Sequence, residues 1–203
     1  RYRDVDAFRA RWKEIAPELD LDDEVESPGP LGSAIEKGGW TLSNRFAVHP
    51  MEGWDAQSDG FPSEETLRRW RRFGQSGAAL IWGGEAFAVR EDGRANPNQL
   101  FHRDRDNTCR ALESLRSALA SGHEGIGEEA PRQSITGLQL THSGRWSRPN
   151  RQGASPLIAF EHPILDARVG ATSDQILSDT DLETIAQRYV EVARCALDTG
   201  FDF

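Results

Sequence analysis

Two periodicities alternate along this chain. Tyr2, Val5, Phe8, Trp12, Ile15 and Leu19 recur at steps of three and four, which predicts an amphipathic helix with Pro17 near its end. The stretch "LDLDDEVESPGPLG" breaks that pattern with acids, Pro and Gly and reads as a connector. "GGWTLSNRFAVHP" then reads as a turn, a short polar segment and a buried strand, Phe46 to Val48, ending on His49 and Pro50. From there a unit repeats. "DGFPSEETLRRWRRFGQSG" predicts a helix with Ser63 as N-cap, Glu64 and Glu65 in its first turn and Gly77 just past its end. The apolar run "AALIWGG" follows at once. A second helix, from about Asn107 to Ser121, carries Leu112, Leu115 and Leu119 on one face and is expected to stop at Gly122. A Gly/Glu-rich loop leads to the run "SITGLQL". A third helix has Thr180 and Glu183 as its expected capping box, a stripe through Leu182, Ile185, Tyr189 and Val190, and Gly200 as its stop before "FDF".

Short unbroken apolar runs between capped amphipathic helices predict parallel strands buried on both faces, joined by right-handed crossovers. The class is α/β, either a doubly wound sheet or a (β/α)8 TIM barrel. Both place ligands at the C-terminal ends of the strands. The loops there, "HPMEGWDAQSDG", "GGEAFAVREDGRANPNQ" and "THSGRWSRPN", are long and rich in Gly, Trp, His, Asn and Arg. The returns from helix to strand are mostly short, and that asymmetry is what the functional face of a barrel produces. Neither G-x-G-x-x-G nor G-x-x-x-x-G-K-[ST] is present, so a Rossmann or P-loop nucleotide site is unsupported.

Charge narrows the partners. The 203 residues carry a formal net charge of -9, which works against binding nucleic acid by phosphate neutralisation. The basic cluster "RRWRRF" follows two Glu and reads as a solvated helix face. No apolar run has the length of a membrane span and the first residues are not signal-like, so a cytoplasmic protein is expected. Cys109 and Cys195 lack metal or C-x-x-C spacing and read as ordinary reduced thiols. The chain opens on Arg1 without Met and closes on what reads as the start of a strand, so a portion of a longer protein is expected.

Three stretches, "NRFAVHPM", "GGEAFAVREDGRANPNQ" and "QLTHSGR", resemble the first, second and third strand-end motifs of the Old Yellow Enzyme family of FMN-dependent NADH:flavin oxidoreductases and ene-reductases. The resemblance runs from Asn44 to Phe203. It implies a TIM barrel of which this chain covers roughly the first four strands, closed at its bottom by a hairpin in "GSAIEKGGWTLSN". It divides the chain into an N-terminal helix and linker, 1–31, and half of an FMN-binding barrel, 32–203. It further implies that His49, Pro50 and Met51 lie against the flavin ring, with Glu52 near its redox-active edge. Gly84 would let the backbone approach, Ala86 would touch the pyrimidine side, and Gln139 would hydrogen-bond the ring. The implied cofactors are FMN, with NADH or NADPH as reductant, and the implied substrate is a small molecule. The substrate-activating His pair and the phosphate site are implied to lie beyond Phe203. A homo-oligomer, or a partner that completes the barrel, is a further expectation.

The residues themselves support parts of this. A flavin offers a flat apolar face and an edge of alternating donors and acceptors, so it suits small residues beneath it and an amide at its edge. Spacing alone leaves two readings for Gln139, a ring ligand or an amide satisfied by rim backbone. His142 is either a pocket residue or a His bonded within its loop, and Arg145 is expected to hold a loop carboxylate or carbonyl. Trp54, where part of the family has tyrosine, is either a wall of the substrate pocket or packing beneath its own loop. Glu52 stands where Cys or Thr is frequent and is expected to lower the flavin potential by Coulomb repulsion. Two other functions compete: a metal-dependent barrel hydrolase with His49, Glu85 and His142 as ligands, and a scaffold that has no chemistry of its own.

Overall fold

The computed structural model describes residues 2–24, 26–125 and 134–203. Helix α1, Val5–Ile15, is capped by the Asp4 side chain on Ala7 N–H and ends where Ala16 leaves helical geometry ahead of Pro17. Its apolar stripe forms, with Tyr2, Phe8 and Trp12 in ring contact, yet no residue of the helix is buried. Strands β1, Ile35–Lys37, and β2, Trp40–Leu42, form an antiparallel hairpin, as the family resemblance implied. Gly38 and Gly39 both take positive φ in its two-residue turn, a conformation that other residues enter at a cost.

The remaining elements build one layer of parallel strands backed by helices. Strand β3 is Ala47–Val48, α2 is Glu64–Gln75, β4 is Leu80–Ala88, α3 is Arg105–Glu124 and β5 is Ile135–Thr141. After β5 come α4, Pro163–Val169, and α5, Asp179–Asp198. The sheet order is β3-β4-β5, all parallel. Phe201 to Phe203 then run beside β5: Asp202 N–H donates to Thr136 O, and Leu138 N–H donates to Phe203 O. That is the start of the fourth strand expected from "FDF". Three strands and this start form an open arc. One face of it packs on α2, α3 and α5 through Ile81, Phe87, Trp70, Leu112, Leu115, Leu119, Val192 and Phe201.

Three local expectations are corrected, and one helix is additional. The first strand is two residues long and not buried, because it pairs with β4 on one side only. Helix α3 continues through Gly122 to Glu124, since that glycine lies against the backbone of α2: a Cβ there would sit 2.0 Å from Arg71 O. The capping box of α5 is Ser178 with Asp181, two residues earlier than Thr180 with Glu183, because Ser178 is the last extended residue before the helix. Helix α4, started by His162 and Pro163 and ended by Gly170 at positive φ, was not foreseen in the sequence pattern. The Ser63 cap and Gly77 stop of α2 are found where expected. The Gly/Glu-rich loop before β5 falls mostly outside the described residues.

Candidate active site

The face of the sheet turned away from the helices carries the sequence-derived site residues. Ile81, Phe87, Leu138 and Leu140 belong to the core side, so their neighbours Trp82, Ala86 and Gln139 face the other way. Ala86 and Gln139 are register partners of β4 and β5, which puts their side chains next to each other on that face. Gln139 is exposed, and its amide has no hydrogen-bond partner among the described residues.

Between Trp82 and Ala86 the ladder is irregular. Gly83 sits there at φ +75, where a Cβ would lie 2.9 Å from Gln139 N, 2.9 Å from Glu85 O and 3.3 Å from Pro50 Cβ. Only glycine satisfies both the backbone conformation and the space. Gly83 therefore joins the three strand ends: Pro50 approaches from one side and Gln139 from the other. Gly84, the glycine expected to open the backbone, lies in the same irregular stretch. His49 extends the face, its ring 6.5 Å from that of Trp82, and Trp82 in turn lies 6.2 Å from Phe203. Met51 is 71% exposed.

The two loops above this face are laced together by side chains that the sequence pattern did not mark. Asn96 Nδ2 donates to Glu52 Oε2 at 3.0 Å, as does the indole of Trp54. Asn98 exchanges bonds with Ala56, its Nδ2 donating to Ala56 O while its carbonyl accepts from Ala56 N–H. Gln99, buried, donates to Ala86 O at 2.6 Å and Thr141 Oγ1 at 3.2 Å and accepts from Ala95 N–H. The Asn- and Gln-rich composition of "RANPNQ" was the available signal; which amides turn inward depends on the return of residues 100–102 to pair beside Ala88.

Beneath the loops lies an ion triad in which Glu85 is buried and Arg69 and Asp55 are half-buried. Arg69 donates to both oxygens of Asp55 at 2.9 and 2.8 Å, and its Nη2 donates to Glu85 Oε2 at 2.6 Å. Glu85 Oε1 accepts from Gly53 N–H at 3.2 Å. Burial pushes the Glu85 carboxyl above its ordinary range against the pull of Arg69. Burial also pushes Asp55 up, but the Arg69 and Thr66 bonds outweigh it and hold Asp55 below the ordinary range. Burial lowers Arg69 too, and the two carboxylates more than reverse that, so the guanidinium stays charged. "RRWRRF" is thus a solvated face only at Arg68, Arg71 and Arg72; Arg69 turns in because it is one turn from Thr66, on the side that meets β4.

The metal reading is corrected by the same geometry. Glu85 spends both oxygens on Arg69 and Gly53, and the His49 ring lies beside Trp82 just past β3. Among the described residues no cluster of three metal-ligating side chains forms. His142 packs its ring against Gly93, where a Cβ would meet it at 2.4 Å, and its side chain is 6% exposed. Its Nδ1 accepts from Gly144 N–H at 3.2 Å, so the neutral ring carries its proton on Nε2, 3.9 Å from Asp92. Burial lowers its pKa and keeps that neutral form. Arg145 holds a carboxylate and a carbonyl as expected, those of Asp166 and Phe160.

No protein-family model and no curated protein matches the chain. Solved structures do. Morphinone reductase is 20% identical, with a TM-score of 0.58, over 85% of this chain and 46% of its own. The old yellow enzyme homologue from Zymomonas mobilis is 21% identical, with a TM-score of 0.57, over the same shares. The likeness is one of fold: this chain matches part of the Old Yellow Enzyme barrels. A 2-naphthoyl-CoA reductase superposes with a higher TM-score, 0.66, at 13% identity, over 85% of this chain and 26% of its own. The likeness thus covers most of this chain, while the chain spans less than half the length of these structures. No helix among the described residues is long and apolar enough to cross a membrane.

Proposed function

We propose that this chain supplies the ring-binding face of an FMN-dependent NAD(P)H oxidoreductase that reduces electron-poor alkenes. The observation that carries the reading is the unpartnered amide of Gln139 beside Ala86, on the open face of an Old Yellow Enzyme fold. A flat ring with a polar edge fits there. Ala86, 5% exposed beside Gln139, adds only a methyl to the floor, Gly83 brings backbone close to Pro50 and Gln139, and Gln139 can donate and accept in the plane of the edge. When bound, FMN supplies hydride transfer between NAD(P)H and the acceptor. The protein residues hold and orient: His49, Pro50 and Met51 border the ring, the Glu52–Asn96 bond fixes the loop over it, Trp54 belongs to the substrate side, and His142, buried against Gly93, braces the loop after β5. The remaining strands come from the rest of the polypeptide or from a partner, which includes a second copy. The two free thiols suit the reducing conditions of the cytoplasm.

Two variants test this. Gln139→Ala removes two hydrogen bonds of about 1 kcal/mol each, so FMN affinity should fall roughly ten- to thirtyfold by fluorescence titration; an unchanged affinity would remove Gln139 from the site. Glu52→Gln removes a carboxylate that has no ion-pair partner among the described residues. Its flavin reduction potential should rise, and a potential equal to that of the parent would sink the electrostatic role.

A further inference from the structure

We propose that Glu52 and Trp54 form a cation-selective subsite, so that the preferred ligand carries an ammonium or protonated amine next to an aromatic or unsaturated body. This rests on the reading above that the loops over the sheet face bind the substrate. Among the described residues Trp54 is the one non-glycine residue at positive φ, +54, a conformation that bulky side chains seldom adopt. It is held there while the residue remains 67% exposed. What holds it is Glu52 Oε2, which accepts from the indole N–H and from Asn96 Nδ2, each at 3.0 Å. Asn96 is itself 3% exposed, and its Oδ1 accepts from Asn98 N–H at 2.8 Å. The carboxylate is therefore aimed by groups from two loops.

Both groups that aim it are neutral, so the charge of Glu52 is not cancelled. Its Oε1 has no partner among the described residues, and no Arg, Lys or His pairs with it. Arg69, on the neighbouring helix, is committed to Asp55 and Glu85. A bond that only stapled the loop would do as well with the indole buried and both oxygens paired. Here a carboxylate oxygen without a partner among the described residues and an exposed indole stand two residues apart, with the ring pinned by the carboxylate itself. A cation gains from both at once, by direct Coulomb attraction and by the ring quadrupole, and a quaternary ammonium or protonated amine is the group that uses them. The formal net charge of -9 adds a long-range bias of the same sign.

The test uses two isosteric probes, (3-hydroxyphenyl)trimethylammonium and 3-tert-butylphenol, titrated against the whole gene product by tryptophan fluorescence and calorimetry. The ammonium compound should bind about tenfold tighter than its uncharged isostere. In Glu52→Gln, which keeps an acceptor for Trp54, the ratio should fall toward one. In Trp54→Leu, which keeps the carboxylate, the ammonium compound should also weaken. Near-equal binding by the parent, or a ratio untouched by Glu52→Gln, overturns the subsite. Flavin content is read on the same samples. Charge selectivity that depends on Glu52 in a protein without FMN would support the subsite and refute the flavin reading. FMN bound with no selectivity would refute the subsite alone.

Discussion

Replacing Arg69 with methionine should cost about 3–5 kcal/mol of folding stability, because it leaves a buried carboxylate without its counter-charge. Glu85 is 2% exposed and its nearest cation is Arg69 at 2.6 Å. Nothing in an apolar replacement compensates for it. The loss would extend to the site, since Gly53 rests directly on the guanidinium: a Cβ at Gly53 would lie 1.9 Å from Arg69 Nη2. Urea unfolding is the measurement, and a loss below about 1 kcal/mol would show that the triad is not coupled to folding. The double variant Arg69→Met with Glu85→Gln should recover part of the loss, because the unpaired charge is gone.

The triad also sets a pH signature. Asp55 titrates below its ordinary range, so it contributes stability that is present above that range and is lost as pH falls through the lowered value. Glu85 titrates above its ordinary range, which gives it the opposite sign: ionising it opposes folding, and acid relieves that opposition. Without Arg69 the Glu85 term grows. The stability gap between the parent and Arg69→Met should therefore be widest near neutral pH and narrow on acidification.

Gly122→Ala should destabilise by about 1–3 kcal/mol, although alanine is the better helix former by about 1 kcal/mol. The new methyl would meet Arg71 O at 2.0 Å, and the reciprocal change at Gly74 would meet Leu119 O at 2.2 Å. Both obstacles are backbone, so α2 and α3 must part to admit either side chain. A stabilised Gly122→Ala protein would contradict this packing.

These two sites show what the sequence could and could not convey. Ser63 and Gly77 were legible because caps act within a few residues of themselves. Gly122 was misread because a glycine that ends a helix and one that admits a neighbouring helix look the same locally; only the α2 partner separates them. Arg69 was hidden among four arginines with one helical period, and its inward turn depends on Asp55 and Glu85, 14 and 16 residues away. The strand-end residues were placed by topology. His49, Pro50, Ala86 and Gln139 come together because parallel strands in register bring successive strand ends side by side, and Gly83 marks where they meet. The inward-turned amides Asn96 and Gln99 were unreadable, since composition does not say which polar side chain a loop will bury.

The visible absorption spectrum of the whole gene product, before and after denaturation, tests the central claim most directly. A flavin band, with FMN released on unfolding and its uptake weakened by Gln139→Ala, is the expected result. A colourless protein that takes up no added FMN would contradict the assignment of this face to a flavin.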